Sequence, residues 1–281
     1  MLLNTAAQSG NAITFSKAQI KQQIQAACKN CVSKHNCLHQ SLENKLLSNL
    51  PAKYVTKIKM KKGDPIIRNG DPLNYLYNLR IGYCKLEFSL SNGQYQINHF
   101  AFPGDLLGID GVAEKKHRLD ITALSDGELC MIEFNTFTNL IDTESEIRTI
   151  FETILGRTIN RIEEHLFSLG SHSAEQKLAF FLLDFHKRQK QLNIDLRMMR
   201  LPMSREDLKS YLGMTSETLS RSFAFLERNQ CLQVKNRNIS NINYERLAQL
   251  IEQNEKLSRT CNIKNTKSLT QYENSPSAHG C

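Results

Sequence analysis

No apolar run in the 281 residues reaches the roughly 18 that cross a membrane, so no membrane partner is expected. Met1 to Phe15 holds no basic residue and no apolar core, and so lacks the make-up of a signal peptide. No internal repeat is visible. No acid–base pair or nucleophile–base arrangement stands out, which argues against an enzyme. A reducing cytoplasm is the expected setting. Eight cysteines do not build a disulfide framework there, whereas clustered ones bind metal or carry redox chemistry.

Acid is scarce where base is dense. Residues 1–62 contain ten lysines and one acid, Glu43, which leaves the rest of the chain near neutral although the whole carries +8. A basic balance points to nucleic acid or a membrane surface, but most of these lysines read as a solvated surface. With 40% apolar residues the chain has enough material for real cores, and its length suggests about two domains.

The periodicity changes twice. Residues 1–40 read as an N-terminal arm with a cysteine cluster motif. Over 41–142, short runs at Pro65–Arg68, Tyr75–Leu79, Tyr83–Leu90, Gln94–Phe102 and Ile121–Glu133 alternate with turn signals such as Lys62-Gly63-Asp64, Asn69-Gly70-Asp71 and Pro103-Gly104-Asp105. That pattern predicts a β-sandwich or barrel. In 143–172, Leu155, Ile159, Ile162, Leu166 and Leu169 step by four and three, forming a seam on a helix roughly 42 Å long. The seam could bury against its own domain; lying between two domains, it is read as a homodimer contact. A second helix is expected from Ala174 to Gln191, within a unit spanning 173–253. Residues 254–281 read as a disordered tail.

Within 173–253, Ser204 and Asp207 form an N-cap with an acid three residues on, Gly213 supplies a tight turn, and Thr215 caps the next helix. Two helices this close fit helix-turn-helix, although an ordinary two-helix corner has the same outline. Leu219, Phe223 and Leu226 share one face of the second helix. Glu217, Ser220, Arg221 and Ala224 share the other; Glu217, Ser220 and Arg221 have the chemistry that reads base edges. Leu232–Val234 and Ile239–Ile242 flank Lys235-Asn236-Arg237-Asn238, a hairpin placed as a wing. Thr215 and Ser216 at the helix start, with Lys235 and Arg237 on the wing, are the expected phosphate contacts. Double-stranded DNA is the expected partner.

Cys28, Cys31 and Cys37 form C-x2-C-x5-C, three thiols able to converge on one metal. Zinc and iron–sulfur centres both use thiolates, and a fourth ligand is needed. Lys29 and Lys34 favour thiolates, and His35 keeps a structural zinc open.

With this triplet, the stretch Gly104-Asp105-Leu106-Leu107-Gly108-Ile109-Asp110 and the run Glu217-Thr218-Leu219-Ser220-Arg221, the chain resembles an Fnr-type member of the Crp/Fnr superfamily of bacterial transcription regulators from about Cys28 to Leu250. The resemblance implies an α+β fold: an N-terminal cyclic-nucleotide-binding-like β-roll, a long dimerisation helix and a C-terminal winged helix-turn-helix. It implies a [4Fe–4S] cluster on Cys28, Cys31, Cys37 and Cys130, the last matching the family's late β-roll cysteine in Cys130-Met131-Ile132-Glu133-Phe134. It further implies disassembly of that cluster by oxygen, a TTGAT-type inverted repeat as the DNA site, and RNA polymerase as a partner. Family members that fall apart on losing the cluster often carry an acid in the dimer seam; here Ile162 stands there, with Glu163 and Glu164 beside it. Cys84, Cys231, Cys261 and Cys281 match no ligand position, and Cys84 and Cys231 read as small core residues. A cyclic nucleotide is not expected. Its branch of the family uses Gly-Glu and then Arg-Ser or Arg-Thr, whereas Gly104 precedes Asp105 and Arg118 precedes Leu119-Asp120. The alternative is a regulator of the same fold with zinc at the cysteines and another effector in the β-roll.

Overall fold

The computed structural model describes residues 55–89, 93–192 and 198–252. The arm with Cys28, Cys31 and Cys37, and the tail 254–281, lie outside the described residues.

Eight strands form the first unit: β1 (Val55–Met60), β2 (Pro65–Ile67), β3 (Tyr75–Ile81), β4 (Cys84–Ser89), β5 (Tyr95–Ala101), β6 (Leu106–Leu107), β7 (Asp120–Ala123) and β8 (Gly127–Glu133). They make two antiparallel four-stranded sheets, ordered β1-β8-β3-β6 and β2-β7-β4-β5. The turns fall where the sequence places them. Gly63, Gly70 and Gly104 adopt φ of +90°, +93° and +100°, a region open to glycine at little cost. Asp64 and Asp71 each accept a backbone N–H three residues upstream, from Lys61 and Arg68. The stretch Ile121–Glu133, read as one run, is two strands. Gly127, at the start of β8, passes so close to the end of β3 that a Cβ there would sit 2.0 Å from the Ile81 carbonyl oxygen.

Between the sheets lie Met60, Leu79, Leu86, Leu107, Ile121 and Leu129, all buried. A separate cluster of Leu76, Ile132, Phe134, Phe137, Ile147 and Ile154 covers the outside of the first sheet. It is built under α1 (Phe134–Thr143) and α2 (Ser145–Ser171). The sequence reading ran the β-roll to 142 and began the long helix at 143. Instead a short helix, α1, comes first, and α2 starts at Ser145. Helix α2 is 27 residues, about 40 Å.

The last unit comprises α3 (Ala174–Gln191), β9 (Met198–Arg200), α4 (Arg205–Leu212), α5 (Ser216–Arg228), β10 (Gln233–Lys235), β11 (Asn238–Ser240) and a helical stretch over 244–252. Capping boxes start α3 at Ser173 with Gln176 and α4 at Ser204 with Asp207. Gly213, in the left-handed conformation, ends α4. Strand β9 was not anticipated. It adds to the hairpin to give a three-stranded sheet ordered β10-β11-β9. This unit does not pack alone: Ile97, Phe100 and Phe102 of the β-roll belong to the same buried cluster as Phe181, Phe185, Leu208 and Leu226.

Candidate DNA-binding face and sensor centre

Helix α5 carries an apolar and a polar face. Leu219, Phe223 and Leu226 are buried, while Glu217, Ser220, Arg221 and Ala224 are exposed. Thr215 caps the helix by accepting the Thr218 N–H at 3.1 Å, and the Ser216 hydroxyl points to Glu206 at 3.4 Å. The start of α5 thus stands at the surface with Thr215 and Ser216, where a helix end favours anions. Arg221 and Glu217 pair with each other at 2.6 Å, with side chains 77% and 72% exposed. A pair this solvated contributes little to stability, so both groups can be redirected to base edges.

The wing sits beside α5. Lys235 and Arg237 are exposed at its tip, and Asn236 between them takes φ +59°. Two contacts that the sequence did not reveal hold it there. Glu227 accepts the Val234 N–H at 2.8 Å. Arg205 stacks its guanidinium 3.7 Å from the Phe223 ring centre and donates to the Asn236 carbonyl at 3.2 Å.

On α2, Ile159, Ile162 and Leu166 are exposed at 54%, 37% and 60%, while Leu155 and Leu169 are half-buried. Phe167, outside the expected seam, is 56% exposed. These side chains form an apolar surface that the described residues leave uncovered.

The cysteines divide by face. Cys84 lies in the β-roll interior, its thiol 3.9 Å from the Met60 sulfur. Desolvation pushes it up to about 12, with the charge of Asp105 adding to the effect. Cys231 is buried and raised mainly by desolvation. Both are core thiols, poorly suited to thiolate chemistry. Cys130 is on β8 between Leu129, which faces the interior, and Ile132, which faces out under the helices. Strand alternation therefore puts Cys130 on the outer face. Its neighbours across the ladder are Lys57 on β1 and Asn78 on β3. Residue 55, where β1 begins, pairs with Ile132, so the chain that leads back to Cys37 departs beside the Cys130 strand. Cys130 is buried on that outer face, 5% exposed, and a thiol with a lysine as its cross-strand neighbour is a donor that suits a thiolate-ligated centre.

In the β-roll, Asp105 turns outward to α2 and α3 rather than into the interior. Arg161 donates to it at 2.8 Å and Arg188 also bonds it. Desolvation alone would raise this carboxyl; the guanidiniums of Arg188 and Arg161 overcome it and hold it at about 2. The Arg118 N–H is bound by Asp110 at 2.8 Å, and Asp110 also accepts from Leu119 and pairs with His117.

Residues 57–144 match the cyclic nucleotide-binding domain family, and residues 176–250 match the Crp-like helix-turn-helix domain family. The chain belongs to the Crp/Fnr family. As a Crp/Fnr protein it is a DNA-binding transcription regulator and not an enzyme. The transcriptional regulatory protein btr of Bordetella pertussis is 31% identical over 81% of this chain and 94% of its own. The fumarate and nitrate reduction regulatory protein of Escherichia coli K12 is 30% identical over 79% and 89%. The anaerobic regulatory protein of Pasteurella multocida is 28% identical over 81% and 85%. Among solved structures, FixK2 of Bradyrhizobium japonicum superposes with a TM-score of 0.64, at 28% identity, over 70% of this Crp/Fnr chain and 96% of its own. No helix of the described residues is long and apolar enough to cross a membrane.

Proposed function

We propose that this regulator senses oxygen or redox state through a [4Fe–4S] cluster held by Cys28, Cys31, Cys37 and Cys130, and binds a TTGAT-type inverted repeat as a homodimer. The observation that carries the reading is the outward placement of Cys130 beside Lys57, with β1 leading back from that strand to the triplet. When bound, the cluster supplies a centre whose integrity depends on oxygen. The names of relatives that mark anaerobic regulation agree with this reading.

The chain's own residues do the rest. Glu217, Ser220 and Arg221 read base edges. Thr215, Ser216, Lys235 and Arg237 hold phosphates and set the register. Leu155, Ile159, Ile162, Leu166 and Leu169 close the dimer across α2, and the family implies RNA polymerase as the partner of the DNA-bound form. A cyclic nucleotide has no role. Asp105, which follows Gly104, is committed to Arg161 and Arg188.

An absorption spectrum of anaerobically purified protein, with iron, sulfide and zinc content, tests this. Broad visible absorption with iron and sulfide is the expected result. A colourless protein loaded with zinc overturns the cluster and leaves a structural metal at the same cysteines.

A further inference from the structure

One carboxylate joins the three parts of this protein. Asp105 lies in the turn between β5 and β6. Its Oδ1 accepts from Arg161 of α2 and its Oδ2 from Arg188 of α3, while the Phe102 N–H also bonds Oδ2 at 2.9 Å. Arg188 lies 3.8 Å over the Phe102 ring and donates to the Phe100 carbonyl at 3.4 Å. Arg161 is further fixed by donating to the Arg157 carbonyl at 3.2 Å. Around this centre the DNA-binding unit is docked on the β-roll. Lys85 pairs with Asp207 at 3.1 Å, the Ile97 N–H donates to Ser210 at 3.0 Å, and Tyr211 stacks on His165 of α2 at 3.9 Å.

The turn has a second anchor on its other side. Asn78, buried and opposite Cys130 in the ladder, donates to the Gly104 carbonyl at 3.2 Å. Leu79 exchanges backbone bonds with Gly104 and Asp105, at 2.7 and 2.9 Å. The strand that neighbours Cys130 thus sets the position of Asp105.

We propose that Asp105 is a positioning residue for DNA recognition: it locks the helix-turn-helix unit and the long helix onto the β-roll, and Asn78 ties it to the strand pair carrying Cys130. The link to Cys130 as a signal rests on the cluster reading; the lock does not. A dimer must present two recognition helices at a fixed separation along DNA. Releasing the lock costs that separation its definition without touching any residue that meets DNA.

The test uses the full chain with Asp105→Asn, which keeps an acceptor for Phe102 but removes the charge, with Arg188→Gln, and with Arg188→Lys as the conservative comparison. Hydrogen exchange by mass spectrometry is read at 205–212 on α4 and, away from the Asp105 turn, at 120–123 on β7. The expected result is exchange at least fivefold faster at 205–212 in Asp105→Asn and Arg188→Gln, less in Arg188→Lys, with β7 unchanged. Unchanged exchange at 205–212, or an equal rise in β7, overturns the lock. Asn78→Ala should speed exchange at 104–105, and no change there removes Asn78 from the route. Binding is measured on an inverted repeat of TTGAT half-sites and on the same duplex with two base pairs inserted between them. Wild type should lose at least tenfold on insertion and Asp105→Asn twofold or less; an undiminished penalty in Asp105→Asn counts against positioning. If wild type ignores the repeat altogether, the base-reading assignment falls, and the exchange arm, which needs neither DNA nor cluster, still decides the lock.

Discussion

Replacing Ile162 with aspartate should split the dimer, and the structure sets the size of the effect. Ile162 sits at the middle of the exposed α2 surface and still shows 37% of its area. A fully buried isoleucine is worth about 1.5–3 kcal/mol. Covering the remaining third on each of two subunits is therefore worth about 1–2 kcal/mol per dimer. In a two-fold contact only a residue on the axis meets its own copy, and the middle of the seam places Ile162 there. Two carboxylates about 6 Å apart at an effective dielectric near 20 repel by about 3 kcal/mol. Together Ile162→Asp should weaken association by about 4–5 kcal/mol, roughly a thousandfold in Kd. The wild-type chain has apolar surface where an acid would oppose pairing, and Ile159 and Leu166 add more on either side. We expect the cluster-free protein to remain substantially dimeric at micromolar concentration, with oxygen acting on the orientation of the DNA-binding unit more than on subunit number. Sedimentation velocity of air-exposed protein at tens of micromolar checks both statements. A clean wild-type monomer refutes the second, and an Ile162→Asp protein that sediments as the wild-type dimer removes the seam from α2.

Four further outcomes are expected. Cys130→Ala, like alanine at Cys28, Cys31 or Cys37, should abolish iron and sulfide loading, whereas Cys84→Ala and Cys231→Ala should retain it; full loading in Cys130→Ala would reassign the fourth ligand. Arg221→Ala should cost about 1–3 kcal/mol at a matched site and relax preference at one base pair, while Lys235→Ala weakens all sequences alike and reduces the salt slope by about one phosphate; equal loss on specific and random DNA in Arg221→Ala would make Arg221 a phosphate contact. Stability should fall with acid between about pH 6.5 and pH 4. Desolvation holds His99 and His165 at about 4 in the folded chain, so the unfolded chain, with its histidines near 6.5, takes up protons first; thermal melting should show this decline, and His99→Gln should remove part of it, with His165 keeping the rest. Gly127→Ala should destabilise by several kcal/mol, because its Cβ would overlap the Ile81 carbonyl and backbone has to move; a melting temperature equal to wild type would refute the close approach of β8 to β3 at Ile81.

The elements the sequence revealed are those with local causes. Helices α3 and α4 begin where Ser173 and Ser204 cap them, and α5 where Thr215 does, since a cap is decided within four residues. The exposed set Glu217, Ser220 and Arg221 follows from helical period alone. What escaped has non-local causes. Helix α1 falls inside the span 41–142 assigned to the β-roll: no side chain caps its start, and its buried face, Phe134 and Phe137, is completed by residues of α2 such as Phe151. Strand β9 has three residues and exists because Met198–Arg200 pairs with β11, about forty positions on. The outer face of Cys130 was invisible too: in a buried strand, hydrophobicity does not alternate, and the burial on either side of Cys130 is the same.

Asp105 shows the same limit at the level of function. The turn Pro103-Gly104-Asp105 is legible, and its aspartate has the local task of receiving the Phe102 N–H. Its partners Arg161 and Arg188 stand 56 and 83 residues away, on helices whose own patterns do not single them out. Because Ile97, Phe100 and Phe102 share one core with Phe181, Phe185 and Leu208, the DNA-binding unit is joined to the β-roll by buried area as well as by charge. Apolar burial is non-directional and tolerates sliding, whereas two guanidiniums on one carboxylate accept few geometries. The core therefore supplies most of the attachment, and the Asp105 cluster supplies its angle. On the lock proposed above, a signal that shifts the turn beside Asn78 would act on the orientation of the recognition helix through Asp105 while the shared core stays buried.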